Sequence, residues 1–209
     1  MANESKVFIV DDDPSVRKSL VRLIKSVGLT VQDFPSAQDF LDSQQDKGPS
    51  CLVLDVRMPG LSGLDLQEEL KIRQWPIPII FITGHGDVPM SVRAMKAGAA
   101  DFLEKPFNDQ ELVDAVHKAL SQDQQDKKKQ HKISDLEKRV ATLTPREKEV
   151  FGLVVRGLLN KQIASDLGMS EKTVKVHRAR VMNKMSADSL ARLVRMAQNL
   201  GMFSSEEEL

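Results

Sequence analysis

The sequence predicts an α/β fold, a doubly wound five-stranded parallel sheet, followed by a small all-α domain. Short apolar runs alternate with amphipathic helical patterns over about the first 120 residues, which is typical of repeated β-α units. The rest of the chain contains only helical patterns. Residues 1–120 hold 13 Lys and Arg against 18 Asp and Glu, whereas residues 121–209 hold 17 against 12, so the net charge changes from −5 to +5. This asymmetry indicates two domains with different partners, the basic one suited to nucleic acid.

Five strands are predicted in the first part. Lys6–Val10 is a short apolar run of the kind found in buried parallel strands. The other four candidates are Thr30–Phe34, Cys51–Leu54, Ile77–Ile82 and Asp101–Leu103.

Helices are predicted between these strands. Asp13 offers an N-cap and Pro14 a first-turn proline, so one helix begins there, and Gly28 ends it. The later helices of this part are predicted at 36–44, 64–73, 87–97 and 108–120.

Four helices are predicted in the second part, together with an acidic tail. They run from Pro145 to Arg156, over Asn160–Leu167, from a Ser170 cap to about Lys184, and over Ala187–Leu200; the tail is Glu206–Glu208.

The segment between the two parts allows two interpretations. Residues 121–132 contain no aliphatic side chain, which fits either a linker or a solvated extension of a helix. Ile133, Leu136, Val140 and Leu143 then recur at helical spacing. A helix that packs on the following domain is favoured over a dimeric coiled coil, because coiled coils need roughly three or more heptads.

Composition limits the class of protein. The 209 residues are 41 % apolar and 29 % charged, which excludes a wholly disordered chain. Neither a membrane-spanning run of about 20 residues nor a signal peptide is evident. Cys51 is the one cysteine, which excludes an internal disulfide. A cytoplasmic protein with no membrane partner is expected, with domains at 1–121 and 141–209 joined by a helical linker at 122–140.

Charged and hydroxyl side chains follow the predicted strands at one edge of the sheet. Asp11 and Asp12 follow the first strand, Asp55 the third, Thr83 the fourth and Lys105 the fifth. Parallel sheets bind ligands at this carboxyl edge. Clustered carboxylates favour Mg²⁺, which keeps waters and recruits phosphate oxygens. A carboxylate there could attack a phosphoryl donor, with an ammonium neutralising the phosphoryl oxygens.

The sequence runs that contain these residues resemble the receiver domain of two-component response regulators. They read VDDDPS, LDVRMPGLSG, ITGHG and LEKPF, in the family's order, and the similarity covers about residues 5–120. The resemblance implies a CheY-like, or flavodoxin-like, receiver with Mg²⁺ as its cofactor. It also implies a phosphoryl group donated by a sensor histidine kinase.

The resemblance assigns a role to each of these residues. Asp55 is the implied phosphoacceptor. The implied Mg²⁺ ligands are Asp12 and Asp55 by carboxylate, Arg57 by its backbone carbonyl and Asp11 through metal-bound water.

The remaining implied roles concern the phosphoryl group and the switch. Thr83 would bond to the phosphoryl group, Lys105 would pair with it, and Phe102 occupies the position of the family's rotating aromatic switch. Val92 and Lys96 are the candidates for a receiver dimer face. A cis peptide is expected at Lys105–Pro106.

A basic helix forms the second candidate site. Residues 171–184 carry five Lys and Arg against one acid, and Val174, His177, Val181 and Met185 define an inward face. A short turn joins this helix to the one before it, as in helix-turn-helix proteins, whose second helix enters the major groove.

Three runs here, LTPRE, NKQIA and TVKVHR, resemble the LuxR-type helix-turn-helix domain over about residues 141–203. Together with the receiver they are similar to the FixJ/NarL class, closest to the FixJ branch. The resemblance implies base contacts from Lys175 and Val176, with Arg178 and Arg180 as further candidates. It implies phosphate contacts from Asn160, Lys161, Thr173 and Lys184. The last helix is expected to dimerise through Leu190, Leu193, Val194 and Ala197.

The predicted function is a phosphorylation-gated transcription factor rather than an enzyme. Phosphorylation of Asp55 would promote dimerisation or domain release and binding to promoter DNA. The resemblance implies RNA polymerase as a partner and activation rather than repression. The receiver would take part in its own phosphotransfer and dephosphorylation.

Three other functions compete with this prediction. The first is an aspartyl phosphohydrolase, which is disfavoured because haloacid-dehalogenase-type enzymes place a second acid where Arg57 stands. The second is a constitutive DNA-binding protein with an idle receiver, and the third is a pure protein-interaction switch.

Overall fold

The computed structural model describes residues 5–43, 48–84 and 88–202, and the chain divides into two compact units, residues 1–127 and 128–209. The first unit contains, in chain order, β1 (Lys6–Val10), α1 (Pro14–Ser26), β2 (Thr30–Phe34), α2 (Ala37–Leu41), β3 (Ser50–Asp55), α3 (Gly63–Ile72), β4 (Ile79–Thr83), α4 (Val88–Lys96), β5 (Asp101–Glu104) and most of α5 (Asp109–Ala141). The second contains the end of α5, then α6 (Pro145–Val155), α7 (Asn160–Leu167), α8 (Glu171–Met185) and α9 (Leu190–Asn199). Three parts of the predictions lie outside the described residues: residue 44 at the end of the helix predicted at 36–44, residue 87 at the start of the helix predicted at 87–97, and the acidic run 206–208.

The strands form one parallel sheet in the order β2-β1-β3-β4-β5, which confirms the predicted fold class. Side chains alternate between its two faces. Phe8 and Val10 of β1 pack toward α2, α3 and α4, whereas Val7 and Ile9 pack toward α1 and α5. Both faces are therefore covered, and the carboxyl edge of the central strands is left to carry polar side chains.

Local capping explains where several helices begin. Asp13 accepts hydrogen bonds from the N–H groups of Ser15 and Val16 and caps α1, as predicted. Ser189 accepts from the N–H of Arg192, so α9 begins at Leu190 rather than at the predicted Ala187.

Proline explains where β4 begins. The predicted strand at 77–82 starts two residues later, at Ile79, because Pro78 has no N–H to donate to a ladder. Its carbonyl instead accepts from the N–H of Leu52.

The polar segment after residue 120 is helical. It belongs to α5, which continues beyond the predicted helix at 108–120 to Ala141, so of the two interpretations the solvated extension of a helix is the one found. Asp123 is buried and accepts from the N–H of Ser50 at 2.7 Å, and Lys127 pairs with Asp123 at 2.7 Å. These bonds fix the extension of α5 against the start of β3.

The second unit has its own apolar core, built by the end of α5 and by α6 to α9. Leu136 and Leu143 are buried in it, with Val140 partly buried beside them. The predicted packing of this helical stripe on the following domain is therefore confirmed. Within the described residues, no helix combines the length and the apolar character needed to span a membrane.

Candidate functional site

The strand ends bring three charged side chains into contact. Asp55 is the last residue of β3, Asp11 follows β1, and Lys105 follows β5. Lys105 Nζ donates to Asp11 Oδ2 and to Asp55 Oδ1, both at 2.9 Å. Asp11 is 1 % exposed and Asp55 7 % exposed. The pocket therefore holds two carboxylates and one ammonium at the carboxyl edge of the sheet.

The charges in this pocket influence one another. Burial raises the pKa of Asp55 above its ordinary value, and the negative charge of Asp11 acts in the same direction, although Lys105 opposes both. Burial also lowers the pKa of Lys105, but its hydrogen bonds to Asp11 and Asp55 outweigh this, so the pKa of the ammonium is raised. A further positive charge would therefore stabilise the ionised form of Asp55.

Backbone groups hold the pocket in place. The N–H of Arg57 donates to Asp55 Oδ2 at 2.9 Å, and the N–H of Asp13 donates to Asp11 Oδ1 at 2.8 Å. The backbone carbonyl of Thr83, at the end of β4, accepts a hydrogen bond from the N–H of Lys105 at 2.7 Å. Thr83 is 1 % exposed. The Lys105–Pro106 peptide is cis, as predicted.

The other predicted receiver residues lie farther out. Asp12, the predicted metal ligand, is exposed and follows Asp11 after the end of β1. Phe102 is partly buried on the sheet, with its ring centroid 6.3 Å from that of Phe81. Val92 and Lys96 are exposed on α4.

The donor set of the pocket contains the oxygen ligands that Mg²⁺ requires. In the described part of the chain, no three His, Cys, Asp or Glu side chains converge as metal ligands. The pocket offers instead the carboxylates of Asp11 and Asp55, joined through Lys105. Asp12 and Arg57, which follow Asp11 and Asp55 by one and two residues, carry further oxygen donors. An oxygen-only set with few carboxylates suits Mg²⁺, which keeps several waters. The residues present therefore fit this ion.

Gly63 also belongs to the pocket, although it was not singled out in the sequence. It begins α3, its N–H donates to the carbonyl of Val56 at 3.0 Å, and its α carbon lies against the backbone of Asp55. The sequence signal was present, since Gly63 closes the run LDVRMPGLSG, but the need for glycine appears only in three dimensions.

The outward side of α8 carries the second set of predicted residues. Ser170 caps the helix, and Val174, Val181 and Met185 of the predicted inward face are buried, whereas His177 is partly buried. Lys175, Val176 and Arg180 are exposed, and Val176 is 45 % exposed. This face is basic and also exposes the apolar side chain of Val176.

Two further predicted residues bond to each other. Arg178 Nη1 donates to Asn160 Oδ1 at 3.2 Å, which joins α8 to the start of α7. Lys161 and Thr173 are exposed, and the Thr173 hydroxyl lies 2.8 Å from that of Ser170.

Lys184 lies in a different environment from the one predicted. Its Nζ pairs with Glu147 Oε2 at 2.6 Å and donates to the carbonyl of Thr142 at 2.9 Å. Glu147 itself is buried, and it accepts from the N–H of Thr144 at 2.9 Å in the capping box of α6. This engagement disfavours a phosphate contact and indicates a structural role for Lys184.

The predicted dimer residues of α9 divide into two groups. Leu193 and Ala197 are fully buried in the core of their own unit, so their assignment to a dimer contact was wrong. Leu190 is 40 % exposed and Val194 is partly buried. The apolar stripe of α9 is used mainly for intramolecular packing.

Comparisons with known proteins assign a family to each part of the chain. Residues 7–117 match the response regulator receiver domain, and residues 141–197 match the bacterial regulatory proteins of the luxR family. Nodulation protein W of Bradyrhizobium diazoefficiens is 54 % identical over 202 residues, covering 97 % of this chain and 89 % of that protein. The transcriptional regulatory protein FixJ of Azorhizobium caulinodans is 47 % identical over 207 residues, covering 99 % and 98 %.

Solved structures give the same result. The response regulator StyR matches with a TM-score of 0.85 and 48 % identity, covering 93 % of this chain and 98 % of that one. Full-length FixJ from B. japonicum matches with a TM-score of 0.58 and 44 % identity, covering 98 % and 100 %.

Proposed function

Because the chain belongs to the response regulators that join a receiver to a LuxR-family DNA-binding domain, we propose that a sensor histidine kinase phosphorylates it on Asp55. One observation carries this proposal: the buried Asp55 carboxylate at the end of β3 shares the Lys105 ammonium with Asp11. Such a carboxylate is a suitable nucleophile, because the ammonium beside it can neutralise the charge of an incoming phosphoryl group.

Mg²⁺ is the cofactor we propose for this step. Asp11, Asp12 and Asp55, with the carbonyl of Arg57, would hold it, and it would neutralise charge on the phosphoryl oxygens. The charge state of Asp55 supports the proposal, since burial and Asp11 raise its pKa and a bound cation would lower it.

We propose that phosphorylation acts through Thr83 and Phe102 on the α4 face. Thr83 ends β4 and Phe102 lies on the neighbouring strand, paired with Phe81. A new charge at Asp55 would act locally and would shift Thr83, Phe102 and the α4 face between two conformations. Val92 and Lys96, exposed on α4, are the residues proposed to contact a second receiver, which would make the phosphorylated protein a homodimer.

The DNA-binding part of the proposal rests on the outward face of α8. Lys175 and Val176 would contact base edges, Arg178 and Arg180 would assist, and base-edge contacts would set the sequence preference. Asn160, Lys161 and Thr173 would contact phosphates, with Asn160 also holding Arg178. Leu190 and Val194 remain the proposed contacts for dimerisation of this domain. Activation through RNA polymerase is proposed on family membership alone.

Beryllofluoride, which mimics an aspartyl phosphate, provides the test. Light scattering on the full chain with Mg²⁺ gives the mass before and after its addition, and Asp55→Asn is the matched control. A monomer-to-dimer shift in the wild type alone would support both the phosphorylation site and its coupling to dimerisation. If beryllofluoride binds at Asp55 without a change in mass, phosphorylation would act through domain release and not through dimerisation.

Each rival function predicts a different experimental result for the full chain. A constitutive DNA-binding protein would bind no beryllofluoride and would bind promoter DNA equally with and without it. A phosphohydrolase would turn over a phosphoester many times, whereas a receiver would incorporate one phosphoryl group from a small phosphodonor. Full labelling of Asp55→Asn would refute the site itself.

A further inference from the structure

Arg17 lies beside the acidic pocket, and the proposed phosphorylation assigns it no role. It stands in the first turn of α1, and its side chain is 15 % exposed. Its Nη1 donates to the carbonyl oxygens of Asp11 at 2.7 Å and of Asp12 at 3.2 Å. One nitrogen therefore holds the backbone of the two consecutive acidic residues that follow β1.

The other side of the guanidinium faces β2. Arg17 Nε lies 3.4 Å from Asp33 Oδ2, and Asp33 pairs in register with Ile9 of β1. Within the described residues Nε is buried and makes an ion pair without hydrogen-bond geometry. Arg17 thus joins α1, the loop after β1 and the edge strand β2.

Two physical effects follow from this arrangement. Consecutive acidic residues repel each other, and fixing their carbonyls restricts the backbone from which both carboxylates extend. A guanidinium would also repel a cation, but Asp33 balances its charge. Arginine suits the task better than lysine, because its donors lie in one rigid plane whereas an ammonium acts as a point charge on a flexible chain.

We propose that Arg17 is a positioning residue of the Mg²⁺ site, acting through the backbone of Asp11 and Asp12, with Asp33 as its charge partner. The inference rests on the proposed function, since it requires that the pocket bind Mg²⁺. It assigns Arg17 no contact with the ion or with the phosphoryl group. Groups that orient metal ligands typically change metal affinity by 10- to 100-fold when they are removed.

Titration calorimetry with Mg²⁺ on the full chain tests the proposal. Arg17→Lys keeps the charge but loses the planar donors, and we expect it to weaken Mg²⁺ binding roughly ten-fold. Arg73→Lys is the matched control, because Arg73 forms an ion pair with Glu69 at 2.7 Å at the end of α3, in the same unit. It should bind Mg²⁺ like the wild type.

Asp33→Asn distinguishes the effect of the balancing charge from the effect of the hydrogen bonds that Arg17 donates. It also serves as the test variant if Arg17→Lys does not fold. It leaves the donation of Arg17 to both carbonyls possible but removes the balancing charge. Mg²⁺ binding should weaken about two- to three-fold at low salt and recover at 1 M salt, where the Debye length is about 3 Å. The loss in Arg17→Lys should persist at high salt because its origin is geometric.

Urea unfolding of each variant shows whether Arg17 only stabilises the fold. A lower free energy of unfolding with unchanged Mg²⁺ affinity in Arg17→Lys would overturn the inference and leave the proposed function standing. Unchanged affinity in Asp33→Asn at low salt would overturn the role of Asp33 as charge partner. Absence of Mg²⁺ binding in the wild type would instead refute the proposed function, and the inference with it.

Discussion

The α carbon of Gly63 lies so close to the backbone carbonyl oxygen of Asp55 that a Cβ atom there would overlap it. The next residue after β3, Val56, contributes to the same contact, since its Cα would lie 3.0 Å from the added carbon. The start of α3 and the proposed phosphoacceptor are therefore packed backbone to backbone, a spacing that only glycine permits.

Gly63→Ala should consequently disturb both stability and the site. We expect the free energy of unfolding to fall by about 1–3 kcal/mol, because backbone has to move to admit the methyl group. Labelling of Asp55 by a small phosphodonor should slow as well. Urea unfolding and a labelling time course measure the two effects. Gly152→Ala, on α6, adds a carbon that would meet no atom within 4 Å beyond its chain neighbours and the backbone of its own helix, and should be neutral or slightly stabilising. Equal stability of Gly63→Ala and wild type would contradict the predicted overlap.

Lys105→Met should tighten Mg²⁺ binding while impairing phosphorylation. The ammonium neutralises Asp11 and Asp55, so its removal leaves two carboxylates whose repulsion a cation relieves. We expect an increase in Mg²⁺ affinity on the order of ten-fold, measured by calorimetry, and slower labelling of Asp55. Lys71→Met, an exposed change of the same charge on α3, should leave both unchanged. Weaker Mg²⁺ binding in Lys105→Met would argue that the ammonium orients the carboxylates rather than competing with the ion.

Lys175→Ala should weaken binding to the specific site by about 1–3 kcal/mol and relax base preference at one position, because the exposed Lys175 faces outward from α8. Fluorescence anisotropy with the specific duplex and a scrambled one measures the difference. Lys148→Ala removes the same charge from an exposed position on α6 and should preserve the ratio of the two affinities. If Lys175→Ala weakens both duplexes equally, the residue contacts phosphates and not bases.

The two leucines of α9 should behave differently. Leu193→Ala empties a fully buried position and should lower the free energy of unfolding by about 2–5 kcal/mol. Leu190→Ala removes a side chain that is 40 % exposed, and its effect on stability should be about 0.5 kcal/mol. Thermal unfolding measures both. If α9 forms a dimer contact on DNA, Leu190→Ala should also reduce cooperative binding to a two-site duplex, and unchanged cooperativity would remove Leu190 from that contact.

Glu147 should contribute to stability only while it is ionised. The hydrogen bond from Lys184 and that from the N–H of Thr144 lower its pKa from 4.5 to about 2. Because the folded pKa lies below the ordinary value, this contribution is complete above pH 4.5 and is lost as the pH falls toward 2. Glu147→Gln should therefore flatten the decline in stability over this range, measured as urea midpoints against pH. An unchanged pH profile would show that Glu147 titrates normally.

The parts of the fold that depend on local signals were predicted from the sequence. The bounds of β2 and α7 were predicted without error because the signals are local: the apolar spacing lies within each segment, and Gly168 directly follows α7. The extension of α5 could only be left open. Its polar residues 121–132 are compatible with a linker, and what fixes them is the long-range bond between Asp123 and Ser50.

The same limit applies to the sites. The carboxyl edge of a parallel sheet collects whatever follows its strands, so the meeting of Asp11, Asp55 and Lys105 was foreseeable from topology. The apolar spacing of Leu193 and Ala197 reports burial but not which surface covers them. A basic residue such as Lys184 likewise does not reveal from sequence that a buried carboxylate lies beside it.

The burial of Cys51 makes the chain useful for thiol chemistry. Its side chain is fully buried in β3, and burial, with the nearby charge of Asp123, raises the pKa of the thiol far above its ordinary value. A maleimide should therefore leave the native protein unmodified and react only when the sheet opens, so its reaction rate measures that opening. A cysteine introduced by Val92→Cys on exposed α4 would then be the sole fast-reacting thiol, and a fluorophore attached to it would follow the α4 face in solution.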